Sequence, residues 1–239
     1  MFSIDSYIKL ISDLKDLNYN FVSYNEVNKL ERNIVLRHDI DMSIDLAYDM
    51  ALIERDMGIS SHYFILVRSG LYNIFEPETS DKLNKIVEFG HSVGLHLDAS
   101  IYCDDRSGLE KYAEYECKVL ESVINKDVEF ISFHRPVDSL LDYDQNIAGR
   151  IHTYQAKFFK DIGYCSDSKG GWYYGHPLDH DAIKEGSALQ LLTHPIWWNN
   201  TGNSVQTILD HLSVVNMKKY RDILSDNCIP YNSKLKLKF

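Results

Sequence analysis

The sequence predicts an α/β fold built on a parallel sheet, and three observations carry that reading. Short apolar runs alternate with amphipathic helical patterns, the rhythm of βα units. Polar clusters sit directly behind those runs, where the carboxyl ends of parallel strands gather on one rim. The composition is that of a packed protein: 44% of the 239 residues are hydrophobic, with 12 glycines and 5 prolines. At this length an α/β barrel commonly folds as one unit, so a single domain over residues 1–239 is expected.

Ile4, Ile8, Ile11, Leu14 and Leu17 recur at helical spacing and predict a helix over 4–17. Ile34-Val35-Leu36 reads as a short buried strand that leads into Arg37-His38-Asp39-Ile40-Asp41. A helix over about 43–57 follows, stopped by Gly58, and Tyr63 to Val67 forms the second strand. The next helix is expected to start near Ser80, with that hydroxyl as its cap and Asp81 in its first turn, and to end at Phe89-Gly90. Ser92 to Leu97 is the third strand. Leu109, Tyr112, Ala113, Cys117, Leu120, Val123 and Ile124 mark one face of a helix over 107–124. Val128 to Phe133 is the fourth strand. After an irregular stretch, Phe158-Phe159 lies in a short helix before the strand Gly163 to Ser166. Ala188 to Leu192 is a late strand, and 203–225 a final helix.

The formal net charge of −10 gives a field that repels phosphate backbones, so nucleic acid is not an expected partner. No run approaches the ~18 apolar residues of a spanning helix. The first twenty residues carry Asp5, Lys9, Asp13, Lys15 and Asp16 and lack the pattern of a secretory signal, so the expected location is the cytoplasm. Cys103, Cys117, Cys165 and Cys228 are scattered without ligand spacing and are expected to be reduced structural thiols.

The polar strand tips are Arg37-His38-Asp39-Ile40-Asp41, His96-Leu97-Asp98, His134-Arg135-Pro136, Ser166-Asp167-Ser168 and Thr193-His194-Pro195. Strand alternation puts Arg37, Asp39 and Asp41 on one face and His38 and Ile40 on the other. Two carboxylates on one face repel unless a proton or cation separates them, and a divalent metal is a common solution. The competing reading is that Arg37 neutralises one aspartate and the other caps the helix at Met42-Ser43. His96 alone would suit a satisfied core histidine. Together with His134 and His194 it supplies, with the carboxylates, a ligand set that suits zinc or a similar first-row ion.

His91 begins the strand that His96 ends, about 16 Å away along an extended chain, and is expected at the opposite rim as a structural residue. His62, His152, His176, His180 and His211 are expected to be structural or exposed. Trp197-Trp198 and Trp172-Tyr173-Tyr174 allow two readings, loop packing or a wall on which a pyranose ring stacks.

In this order, Asp39-Ile40-Asp41, Gly90-His91-Ser92-Val93-Gly94-Leu95-His96, His134-Arg135-Pro136 and Leu192-Thr193-His194-Pro195 resemble the polysaccharide deacetylase superfamily, carbohydrate esterase family 4. The resemblance is closer to a branch with HDxD and GHxxGLH motifs linked to bacterial surface-polysaccharide biosynthesis, and it covers about residues 34–200. It implies a distorted (β/α)7 barrel, a metal held by an Asp and two His, a second Asp as base and a late His as acid. By position, the acidic motif supplies base and ligand, His96 matches the first histidine ligand and His194 the acid. Three positions depart from the pattern. The second histidine ligand is replaced by Ser100, the acidic pair is split by Ile40, and His134 stands where the third motif opens with Arg, with Arg135 displaced by one.

His134 is expected to supply the missing nitrogen, giving Asp41, His96 and His134 as ligands of a divalent metal, zinc by expectation. Asp39 then accepts a proton from the attacking water and His194 protonates the leaving amine. The roles of Asp39 and Asp41 can be exchanged on sequence grounds. Arg37, Arg135, Asp98, Asp167, Trp172, Trp197 and Trp198 are expected on the substrate side, with Asp167 or Asp98 also able to orient a histidine. The expected substrate is an acylated sugar carried on a nucleotide or lipid; the oligomeric state is left open. A sugar-binding or scaffold protein with a decayed metal site is the first rival. A different barrel enzyme, such as an amidohydrolase or a glycosidase, is the weaker one; the two carboxylates of a glycosidase flank the scissile bond about 5 Å or more apart.

Overall fold

A computed structural model of the chain describes residues 2–102, 105–141, 143–173, 175–199, 204–228 and 230–231. Cys103 and Tyr174, singled out above, lie outside the described residues. The chain divides into two compact units, Phe2–Asn199 and the segment Asn200–Phe239 with Met1.

The organising element of the first unit is strand β2 (Asn33–Ile40), in which every residue is buried. A strand covered on both faces belongs at the centre of a parallel sheet. All its partners run parallel: β1 (Asn20–Phe21) at its start, β3 (His62–Ile65) on one side and β8 (Leu189–Thr193) on the other. With β4 (Ser92–Asp98), β5 (Phe130–His134), β6 (Ile151–His152) and β7 (Gly163–Ser166), the strand order is β6-β5-β4-β3-β2-β8-β7, and β1 joins at β2. The fold is α/β, as the sequence predicts.

The sheet curls. The Gln190 side chain on β8 donates to the carbonyls of Thr153 and Phe158 at 3.2 and 3.0 Å, beside and beyond the end of β6. β6 and β8 are far apart in strand order, so that bond requires the sheet to wrap back on itself. The concave interior holds Tyr24, Val35, Phe64, Phe130 and Phe158, with the Tyr24 hydroxyl bonded to Gln190 Oε1. A second, larger core lies between the convex face and the helices α2 (Ile44–Asp56), α3 (Pro77–Glu88) and α4 (Arg106–Ile124). Cys117 and Cys165 are free and buried, and Cys228 is free and exposed.

Helix α1 (Ile4–Asp16) starts at Ser3, whose hydroxyl accepts from the Ser6 amide while Ser6 answers the Ser3 amide. Helix α3 corrects one expectation. It begins at Pro77, a residue suited to the first helical position because its missing N–H is not needed there. Ser80 lies inside the helix and donates its hydroxyl back to the Pro77 carbonyl, so it caps nothing. The short helices α5 (Ala156–Phe159) and α6 (Asp181–Glu185) connect the later strands. In the second unit, α7 (Val205–Asn227) starts at Ser204, which caps it through the Thr207 amide. Among the described residues no helix is long and apolar enough to cross a membrane.

Gly94 in β4 is required by space. A Cβ there would stand 2.6 Å from the Phe64 ring and 2.8 Å from the Phe130 carbonyl oxygen. Backbone cannot yield cheaply, and Phe64 is locked in the interior core. Gly94→Ala is expected to lower stability by about 1–3 kcal/mol, the usual cost of overpacking, in urea denaturation.

Candidate functional site

The polar tips meet on one rim of the curl, at the carboxyl ends of β2, β4, β5, β7 and β8. Neighbouring strands lie about 4.8 Å apart, so β2 and β5, three positions apart, would be roughly 14 Å apart in a flat sheet. The curl brings their side chains together: Asp41, just past β2, has Oδ1 3.0 Å from His96 Nε2 on β4 and 3.1 Å from His134 Nδ1 on β5. His96 pairs with Ser132 and Asp98 with His134, so His134 stands on the same face as His96 and two residues further toward the rim.

Asp41 Oδ1 is buried and forms no hydrogen bond despite two imidazole nitrogens at contact distance. The three atoms converge on a shared point. One ligand atom from each of Asp41, His96 and His134 lies within 4.8 Å of the others. Ligands in a tetrahedral zinc shell sit about 3.4 Å from each other, given bonds of about 2.1 Å. The donor set and the orphaned oxygen therefore fit a divalent cation of the zinc class. Burial alone would raise the Asp41 carboxyl, but the His134 and His96 rings beside it hold it well below the usual carboxylate range. The Asp41 oxygen in turn raises His134 above the ordinary imidazole value, against its burial.

Asp39 is on the same side, and the regular strand through Ile40 makes that possible. Its partner is Arg37, whose Nε and Nη2 donate to Oδ1 and Oδ2 at 2.9 and 2.7 Å. Burial works against the charged carboxyl, yet Arg37 and the neighbouring histidines keep its pKa below the ordinary value. One half of the competing sequence reading is thus realised, because Arg37 neutralises Asp39. The other half is not: the cap of α2 is Ser43, through the Leu46 amide, and Asp41 turns to the histidines. Arg37 itself corrects an expectation. Placed on the substrate side by sequence, it is fully buried beneath the site between Phe64 and Tyr154 and has no surface to offer a substrate.

His194, after β8, points Nε2 at Asp41 Oδ2 from 4.0 Å. Its Nδ1 meets Asp167 Oδ1 at 2.6 Å, and its backbone N–H and Trp198 Nε1–H both donate to Asp167 Oδ2, at 3.0 and 2.7 Å. Desolvation would lower the His194 pKa, but the Asp167 carboxylate, with Asp39 and Asp41 behind it, raises it to about 9. Asp167 is fully buried and holds His194 instead of reaching a ligand. Trp197 and Trp198 are also buried, which leaves little ring surface for a pyranose; Trp198 packs edge-on against Tyr7 and Phe2. Trp172 is partly exposed, next to Trp198 at 6.0 Å, and keeps some free face.

Asp98 closes the other side. It accepts from the Ser100 amide and hydroxyl at 3.2 and 2.7 Å and from Arg135 Nη2. Ser100, which occupies the place of the missing histidine ligand, thus serves Asp98. Arg135 sits in the left-handed region at φ 50° and keeps 63% of its side chain exposed, free to meet a ligand at the rim. His91 lies away from the site, with Nε2 bonded to the Ala51 carbonyl.

Two contributors escaped the sequence reading. Ser132 on β5 bonds His96 Nδ1 at 2.5 Å and reaches Asp39 Oδ1 at 3.3 Å. Its signal was available, since it stands two residues before His134 and so on the same face. Behind the site, on the other face of β2, His38 bonds Thr193 at 2.7 Å and the buried Glu54 at 2.8 Å. Glu54 follows Ala47, Met50 and Ala51 by seven, four and three residues, so the helical period puts it on the buried face of α2 although its charge suggests the outside.

No protein-family model and no curated protein matches the chain. Among solved structures it is similar to a family 4 carbohydrate esterase from Bacillus anthracis, at 13% identity and a TM-score of 0.47, covering 93% of each chain. It is similar to a deacetylase from Streptococcus pyogenes solved with acetate, at 15% identity and a TM-score of 0.47, covering 87% of this chain and 86% of that one. A family 4 pseudoenzyme from Bacillus anthracis matches 80% of this chain at 12% identity and a TM-score of 0.44, and the chain spans 63% of that protein's length.

Proposed function

We propose that the protein is a metal-dependent hydrolase that removes an N- or O-acyl group from a sugar. The observation that carries this is the convergence of Asp41, His96 and His134 on a shared point, with Asp41 Oδ1 at 3.0 and 3.1 Å from two ring nitrogens and bonded to neither. In this reading those three side chains hold a divalent cation, zinc by preference for the ligand set. Such an ion supplies an acidified water and polarises the acyl carbonyl. Asp39, kept ionised by Arg37, accepts the proton of the attacking water. His194, protonated at neutral pH because Asp167 holds its pKa near 9, donates from Nε2 to the leaving nitrogen or oxygen. Of the residues expected on the substrate side, Arg135 and Trp172 keep surface to meet the sugar. The proposal extends, on the family resemblance alone, to a nucleotide- or lipid-linked acylated sugar.

The test is zinc binding by competition with a chelator, together with acetate release from N-acetylated sugars. Wild type is expected to bind one zinc, and His134→Ala to bind at least about ten-fold more weakly, by analogy with the effect of disturbing a metal shell. A wild-type protein that binds no divalent cation overturns the mechanism. A second reading, a sugar-binding protein without turnover, is favoured by the grip of Arg37 on both Asp39 oxygens, which makes Asp39 a weak base. Zinc binding without acetate release from any acylated sugar selects it.

A further inference from the structure

Ser132 was not among the residues that the motifs marked, yet it stands between Asp39 and His96 with one hydroxyl proton to give. Arg37 presents N–H groups to both oxygens of Asp39 at 2.9 and 2.7 Å, so Asp39 is a carboxylate and can only accept. Ser132 is fully buried and has one hydroxyl proton. Asp39 Oδ1, at 3.3 Å, is an acceptor without a proton of its own, and Ser132 is placed to donate to it. With that donation made, the Ser132 oxygen has only lone pairs to offer His96 Nδ1 at 2.5 Å, and the contact is then a hydrogen bond with Nδ1 carrying the hydrogen. A ring with its hydrogen on Nδ1 presents a bare Nε2 to Asp41 Oδ1, 3.0 Å away. Two lone-pair atoms at that separation with no proton between them repel, and a cation between them removes the repulsion. The pairing is fixed by register, since Ser132 is the residue of β5 opposite His96 of β4.

We propose that Ser132 is a positioning residue: it relays the buried Arg37–Asp39 pair to His96, fixes the Nδ1–H tautomer and so leaves Nε2 free to bind a divalent cation. This rests on the metal-site reading above and adds a role that the ligand set does not contain. Ser132→Thr keeps a hydroxyl at the same place, whereas Ser132→Ala leaves Nδ1 without an acceptor and lets the ring place its proton on Nε2, toward Asp41 and Asp39.

Two readouts test it: the zinc dissociation constant, by chelator competition, and the tautomer of His96 in metal-free protein, from the 15N shifts of the ring at alkaline pH, assigned with His96→Gln. Ser132→Ala is expected to weaken zinc binding by about 10–100-fold and to move His96 toward the Nε2–H form, with Ser132→Thr restoring both. Unchanged tautomer and unchanged zinc affinity in Ser132→Ala overturn the proposal, whatever happens to thermal stability. If wild type binds no zinc, the hydrolase reading falls by itself. The tautomer comparison then still decides the role of Ser132, because it needs no metal.

Discussion

Asp167→Asn is expected to lower the turnover of an acylated sugar by about 10²–10⁴-fold, the range over which a positioned acid or its orienting carboxylate contributes. Asp167 Oδ2 accepts two N–H groups that cannot move, the His194 amide and the Trp198 indole. An asparagine must therefore turn its carbonyl toward them and its NH2 toward His194 Nδ1. The hydrogen bond at that nitrogen reverses, the ring loses its anionic partner, and the charged form loses what sustains it. The sign follows directly. In wild type the His194 pKa lies near 9, above the ordinary 6.5, so the acid is in place throughout neutral pH and is lost as pH rises through 9. In Asp167→Asn the alkaline limb of the rate profile is expected to move to lower pH as well as the plateau falling. A profile whose alkaline limb stays near 9 in the variant, with the rate intact, excludes His194 as the acid.

What the sequence made legible was the face on which each polar residue lies. Alternation along β2 put Arg37, Asp39 and Asp41 together, and polar residues behind apolar strands marked the rim where His96, His134 and His194 meet. Depth was not legible. Arg37 and Asp167 look like exposed polar residues in sequence, and both are enclosed, because their partners come from other strands or loops: Tyr154 over Arg37, Trp198 on Asp167. The same blindness made Trp198 a candidate for sugar stacking when its indole N–H is engaged inside. Strands β1 and β6 have two residues each, too few to show a period of two, and their places are set by β2 and β5. Helix α3 starts three residues before Ser80 because Pro77, which has no N–H to leave unpaired, suits its first position.

Glu54 is the residue whose loss is expected to cost the fold most. Its carboxylate is fully buried and accepts from four directions: the Tyr7 hydroxyl of α1, His38 of β2 at 2.8 Å, Ser61 at 2.5 Å and the Tyr63 hydroxyl of β3 at 2.7 Å. Through His38 and Thr193 the same network reaches β8, one residue before His194. Glu54→Ala strands those donors in a dry interior, and breaking a buried charged network of this kind is worth about 3–5 kcal/mol. Urea denaturation at neutral pH measures it, and a loss under about 1 kcal/mol would contradict the role. The milder Glu54→Gln reads the charge itself. Burial would raise this carboxyl, but His38 and the hydrogen-bond donors lower it to about 2, against an ordinary value of 4.5. A depressed carboxyl stabilises the folded state fully above 4.5 and loses that contribution as pH falls through 2. The stability gap between wild type and Glu54→Gln is therefore expected to be widest at neutral pH and to narrow between about pH 4.5 and 2. A gap that stays constant over that range would mean that the geometry of the network, and not the charge on Glu54, is what ties α1, α2 and the sheet behind the site together.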